Sequence, residues 1–154
     1  MSARSKAVAA VLNTYLSSRP TKHALFNAAR VVSGGKRRAR LYYRADDPYS
    51  HLLAQVAPRL VREYGFRMEI VPVAQPGLNA NPAPEMLLNH AIRDAAILAE
   101  VHALSFPKNA APPPEDRIRR VHAVLLEPRS PDIQLELAIE LGEAVWRDDG
   151  AALA

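Results

Sequence analysis

The segment Asp46-Asp47-Pro48-Tyr49-Ser50-His51 gathers two carboxylates, a phenol, a hydroxyl and an imidazole within six residues. It follows an aromatic run, Tyr42-Tyr43, and precedes an apolar stripe at helical spacing, so it sits where a strand feeds a helix. The start of a helix has free backbone N–H groups and a positive dipole end, and both favour an anion. The residues by themselves suit two roles. Asp47 caps the helix while Pro48 occupies its first position, where a missing N–H costs nothing. Alternatively, the corner handles a small anionic ligand at the helix start. On capping alone the structural role is the stronger.

Other groups carry less chemistry. Ser33-Gly34-Gly35-Lys36 resembles part of a phosphate loop, but its spacing is incomplete and it runs helix to strand. The five histidines His23, His51, His90, His102 and His122 show no metal-ligand spacing. Asp148-Asp149 sits near a chain end with nothing to position it, as a solvated terminus does. Cysteine is absent, which excludes disulfides, thiolate nucleophiles and dithiol redox chemistry in this chain.

Elements to position the corner are legible on both sides of it. Residues 4–17 and 21–32 are predicted as a helical hairpin, with Pro20 ending the first helix, Thr21 capping the second and Gly34-Gly35 closing it. Residues 38–45 are predicted as a strand, 48–64 as a helix kinked or broken at Pro58, and 66–73 as a second strand. A crossover of that length implies parallel strands. A Pro/Asn/Gly-rich linker follows at 74–84, and then three helices at 85–104, 115–127 and 132–147. The fold class is therefore α/β, mostly helical by content. Its parts are a basic N-terminal helical hairpin (1–37), a β-α-β unit (38–73), a linker (74–84), an all-α region (85–149) and a tail (150–154). Two strands are too few for a stable sheet. Either the helices cover them, or further strands come from another segment or chain.

Arg40 to Leu53 resembles the opening strand, loop and helix of the DsbA-like thioredoxin superfamily. The nearest branch is that of 2-hydroxychromene-2-carboxylate isomerases and kappa-class glutathione transferases, which open with Ser-Pro-aromatic-Ser where this chain has Asp47-Pro48-Tyr49-Ser50. Arg93 to Ala96, continuing to Leu104-Ser105-Phe106-Pro107, resembles the helical insertion of that branch. Glu143 to Asp148 resembles the end of the insertion. The resemblance covers about residues 38–149 and implies a partial thioredoxin-like unit with an all-α insertion domain. It further implies glutathione as cofactor, adding to a ring-opened small-molecule substrate and leaving after isomerisation. The catalytic pair would be Asp47 and Ser50, and the glutathione contacts Asp47, Pro48, Tyr49, Ser50 and His51. Asp47 stands where the branch has the serine that handles the sulfur. A carboxylate there accepts the helix N–H groups itself and repels a thiolate. The branch's two later strands, cis-proline loop and final helix have no counterpart in these residues, so a complementing chain, a homodimer partner or a further segment is expected to complete the pocket. The alternative is a non-catalytic thioredoxin-like interaction or dimerisation module.

Composition bounds these options. The chain has 154 residues, 49% hydrophobic and 23% charged, as one soluble domain does. No apolar run approaches a membrane span and no secretory leader is evident, so a cytoplasmic location is expected. The net charge of +4 is uneven: residues 1–44 carry every excess cation and no Asp or Glu. That arm could meet nucleic acid or an anionic surface, serve as a transit peptide, or neutralise the acidic remainder. The last is favoured, and nucleic-acid binding is not expected from a chain whose remainder is acidic.

Overall fold

The structure is a computed structural model that describes residues 19–32, 37–73 and 83–147. The chain divides into two compact units, Met1–Arg37 and Arg38–Ala154. In the first, the described element is helix α1 (Arg19–Val32). It starts before Thr21, so Thr21 lies inside a helical turn and is not its cap. Pro20 sits in the first turn, where its absent N–H has no bond to lose. The other hairpin helix, the Ser33-Gly34-Gly35-Lys36 motif, most of the linker and the tail lie outside the described residues.

The second unit holds β1 (Arg37–Tyr43, beginning one residue before it), α2 (Pro48–Tyr64), β2 (Phe66–Pro72), α3 (Pro84–His102), α4 (Glu115–Leu126) and α5 (Pro131–Trp146). The two strands pair side by side in a parallel sheet, as the crossover length required. Alternation divides its faces. Leu41, Tyr43, Met68 and Ile70 point inward and are buried, while Arg38, Arg40 and Glu69 form ion pairs on the outer face at 3.1–3.4 Å. That outer face is charged, so the sheet is one-sided. The inner face meets α4 and α5, and α2 packs against α3, α5 and β2.

The main core joins Leu41, Tyr43, Ile70, Val121, Leu125 and Ala138. Full burial of a side chain such as Leu125 contributes roughly 1.5–3 kcal/mol. A second, smaller cluster places Leu52 against Ala95 and Ala99, which ties α2 to α3. The helical region and the β-α-β unit thus share one compact body.

Proline shapes these helices without breaking them. Pro48, Pro84 and Pro131 each open a helix. Helix α2 runs unbroken through Pro58. Ala54 and Ala57 are fully buried beside that position, and their packing holds the turn that has lost one hydrogen bond. Two helices end on left-handed residues. Gly65, at φ 62°, adopts this conformation without strain. Ala103, at φ 53°, carries a Cβ that disfavours it, yet Ala103 and Leu104 both donate to the Ala99 carbonyl.

Candidate functional site

The corner between β1 and α2 is built by its own side chains. Asp47 is extended (φ −105°, ψ 111°), and its Oδ2 accepts the Ser50 N–H at 3.0 Å and the Ser50 hydroxyl at 2.6 Å. It is the expected N-cap, and it holds the serine proton as well. Ser50 is 7% exposed and Pro48 is fully buried. Asp46 is held in a two-pronged pair by Arg44, at 3.1 and 2.6 Å, the fork geometry that a guanidinium forms with a carboxylate. His122 reaches over from α4, and its Nε2 accepts the Ala45 N–H at 3.2 Å. Burial lowers the His122 pKa, which keeps that nitrogen an acceptor. A small cavity of about 120 Å³ lies beside Asp46, Asp47 and Pro48, closed on its far side by Pro84, Leu87 and Leu88 of α3. It admits a side-chain-sized group and is smaller than the ~300–1,000 Å³ typical of a whole-ligand pocket.

Tyr49 points to α3 and donates to Asp94 Oδ2 at 2.7 Å. Partial burial and that carboxylate push its phenol up to about 12. It is therefore a neutral donor at any ordinary pH.

His51 faces inward and is 1% exposed. Its neighbours fix its tautomer. The Ser105 N–H donates to Gln55 Oε1 at 2.8 Å, which makes the other end of that amide the NH₂ group. Gln55 Nε2 donates to the Ser105 carbonyl at 2.8 Å and meets His51 Nε2 at 2.9 Å. His51 Nε2 is therefore the acceptor and Nδ1 carries the proton. Nδ1 is buried with no hydrogen-bond partner. Burial lowers the His51 pKa to about 4, so the imidazole is neutral in the fold. The ring lies 6.4 Å from that of Phe106, which lies 5.2 Å from Trp146.

The polar chain continues outward. Ser105 Oγ donates to Glu143 at 3.0 Å and accepts from Arg147 at 2.9 Å, and Arg147 pairs with Glu143 at 2.8 Å. One residue of the segment after α3 is thereby bound to α2 and to α5. Gly142 makes room for this arrangement. A Cβ there would lie 2.5 Å from His51 Nδ1 and 2.6 Å from the Tyr43 hydroxyl, which donates to the Ala138 carbonyl at 3.1 Å.

The structure thus groups Asp47, Pro48 and Ser50 at one corner, turns Tyr49 toward α3, and sends His51 into the core. Gln55, Ser105, Glu143 and Gly142 were not read as site residues from the sequence. Two of the four left a signal: Gln55 stands four residues after His51 on one helix face, and Gly142, a glycine inside a helix, marks close packing. Among the described residues, no three His, Asp or Glu side chains gather as a metal site. No described helix is long and apolar enough to cross a membrane. Comparison with protein-family models, with curated proteins and with solved structures finds no match to this chain.

Proposed function

We propose that this chain carries the ligand-binding corner of a DsbA-like thioredoxin domain of the glutathione-using isomerase and transferase type, acting without dithiol exchange. The observation that carries this reading is the Asp47–Ser50 pair at the start of α2, at the carboxyl end of a strand in a parallel sheet. Open α/β sheets bind ligands at such ends. The adjoining cavity has room for a thiol and the carbons next to it, with the rest of the molecule outside.

The chemistry of the corner sets how a thiol would bind. The carboxylate of Asp47 already takes the Ser50 N–H, and its charge opposes a thiolate. A glutathione-type ligand is therefore held as the neutral thiol, with its S–H toward the carboxylate. Replacing Asp47 by the serine of the related enzymes removes the opposing charge and leaves the helix start to lower the thiol pKa.

The test is an amide NMR titration of the full chain with reduced glutathione, repeated with Asp47→Ser. The reading requires shifts centred on residues 44–51 in both proteins, and thiolate absorbance appearing at lower pH with Asp47→Ser. Glutathione without effect on either protein refutes it. A second reading is favoured by the Ser50 proton being committed to Asp47: the corner is a cap alone, in a non-catalytic interaction module. That reading requires unperturbed spectra together with lost stability on removing Asp47.

A further inference from the structure

A second concavity lies away from the Asp47–Ser50 pair, between α2 and the last turns of α3. It encloses about 560 Å³, within the range of small-molecule sites. Its walls are Leu52, Leu53, Val56 and Leu98, and no carboxylate lines it. Leu53 is 44% exposed, a large aliphatic side chain left open to solvent at the groove.

The contacts between the helices fix how charge is distributed along it. Tyr49 bonds to Asp94, Leu52 packs on Ala95 and Ala99, and Gln55 bonds to Ser105. The two helices therefore run side by side in the same direction. Continuing that register brings Arg59 of α2 to the end where His102 closes α3, and both border the groove. Arg59 makes no ion pair among the described residues. The opposite end is bordered by the Tyr49 ring, whose hydroxyl is turned away to Asp94. So an aliphatic groove carries at one end a guanidinium with no ion pair among the described residues, and an aromatic ring at the other.

We infer that this groove binds an aliphatic carboxylate, with its head at Arg59 and His102 and its tail lying over Leu53 toward Tyr49. A guanidinium grips a carboxylate with paired N–H donors, and the aliphatic walls match an alkyl chain. From residue 49 to residue 59 the helix rises about 15 Å, roughly the reach of a ten-carbon acyl chain. The inference goes beyond the glutathione reading and stands without it, because of the corner residues only Tyr49 borders the groove.

Decanoate and decanol, which share a tail, are the probes. Each is titrated into the full chain below its aggregation limit and followed by amide NMR and calorimetry. Decanoate is expected to shift Leu53, Val56 and Ala103 and to bind about tenfold or more tighter than decanol, as a charge-assisted hydrogen bond gives. Arg59→Gln should bring decanoate down to the affinity of decanol. Leu53→Asp should abolish both while leaving the thermal melt in place. Equal binding of the two probes, decanoate binding that ignores Arg59→Gln, or no binding at millimolar concentration overturns the inference. So does a dimer that Leu53→Asp dissolves, because a second copy would then occupy this face.

Discussion

Substituting Gly142 by alanine separates two physical effects of opposite sign. In a helix with free space beside it, Gly→Ala stabilises by about 0.8–1.0 kcal/mol, because alanine has the better helix propensity. At position 142 the added methyl would stand 2.5 Å from His51 Nδ1 and 2.6 Å from the Tyr43 hydroxyl. Neither neighbour can withdraw cheaply. His51 is held through Gln55, the Tyr43 hydroxyl is bonded to Ala138, and both side chains are fully buried. Overpacking of this kind costs about 1–3 kcal/mol, and losing the tyrosine bond adds about 0.5–1.5. After the propensity gain is subtracted, Gly142→Ala should destabilise by roughly 1–3 kcal/mol. That corresponds to a drop in Tm of about 4–12 °C for a domain of this size. The measurement is urea and thermal unfolding followed by the fluorescence of Trp146, the single tryptophan, which lies against Phe106 in the interior. Combining Gly142→Ala with Tyr43→Phe removes one of the two clashing atoms, so the double variant should lose less than the sum of the single ones. Stabilisation by Gly142→Ala, or strict additivity with Tyr43→Phe, refutes the packing argument.

Acid should destabilise the fold through His51. Its pKa is about 4 in the folded chain and about 6.5 when unfolded, so the unfolded state binds the proton first and stability falls as pH drops from about 6.5 to 4. The contribution is of the order of 3 kcal/mol, and stability measured against pH should flatten over that window in His51→Gln. Asp47→Ala should cost about 0.5–2 kcal/mol in a thermal melt, while Asp47→Ser retains most of that as an alternative cap. Ala103→Gly should stabilise by about 0.5–1 kcal/mol in urea unfolding, because φ 53° suits glycine; a loss of stability would show the left-handed end of α3 to be unstrained.

The β-α-β order, the capping by Asp47 and the long helices were legible because each rests on local chemistry. Alternation marked the strands, the 3.6-residue stripe marked α3, and the Asp-Pro pair marked the start of α2. Proline was harder to read, since the same residue ends one element and opens the next. Pro131 opens α5, and Pro58 sits inside α2 where buried alanines outweigh one lost bond. Thr21 was read as a cap because Pro20 looked like a stop, whereas the helix begins at Arg19. The environment of His51 was legible only in part, through Gln55 four residues on and a glycine inside a helix. It depends on Gln55, Ser105 and Gly142 meeting across up to 91 residues of sequence, and no local periodicity reports such a meeting.

Ser105 lies outside any helix or strand, where amides ordinarily trade their hydrogens with solvent within the opening of a single turn. Its N–H is instead held by a side chain of α2, its carbonyl by the same side chain, and its hydroxyl by Glu143 of α5 and by Arg147, which caps that helix. Deuterium can enter there only when α2 moves away from the segment that follows α3. The slowest-exchanging amides should therefore include one from an irregular stretch, and its exchange rate should follow the unfolding of the whole body.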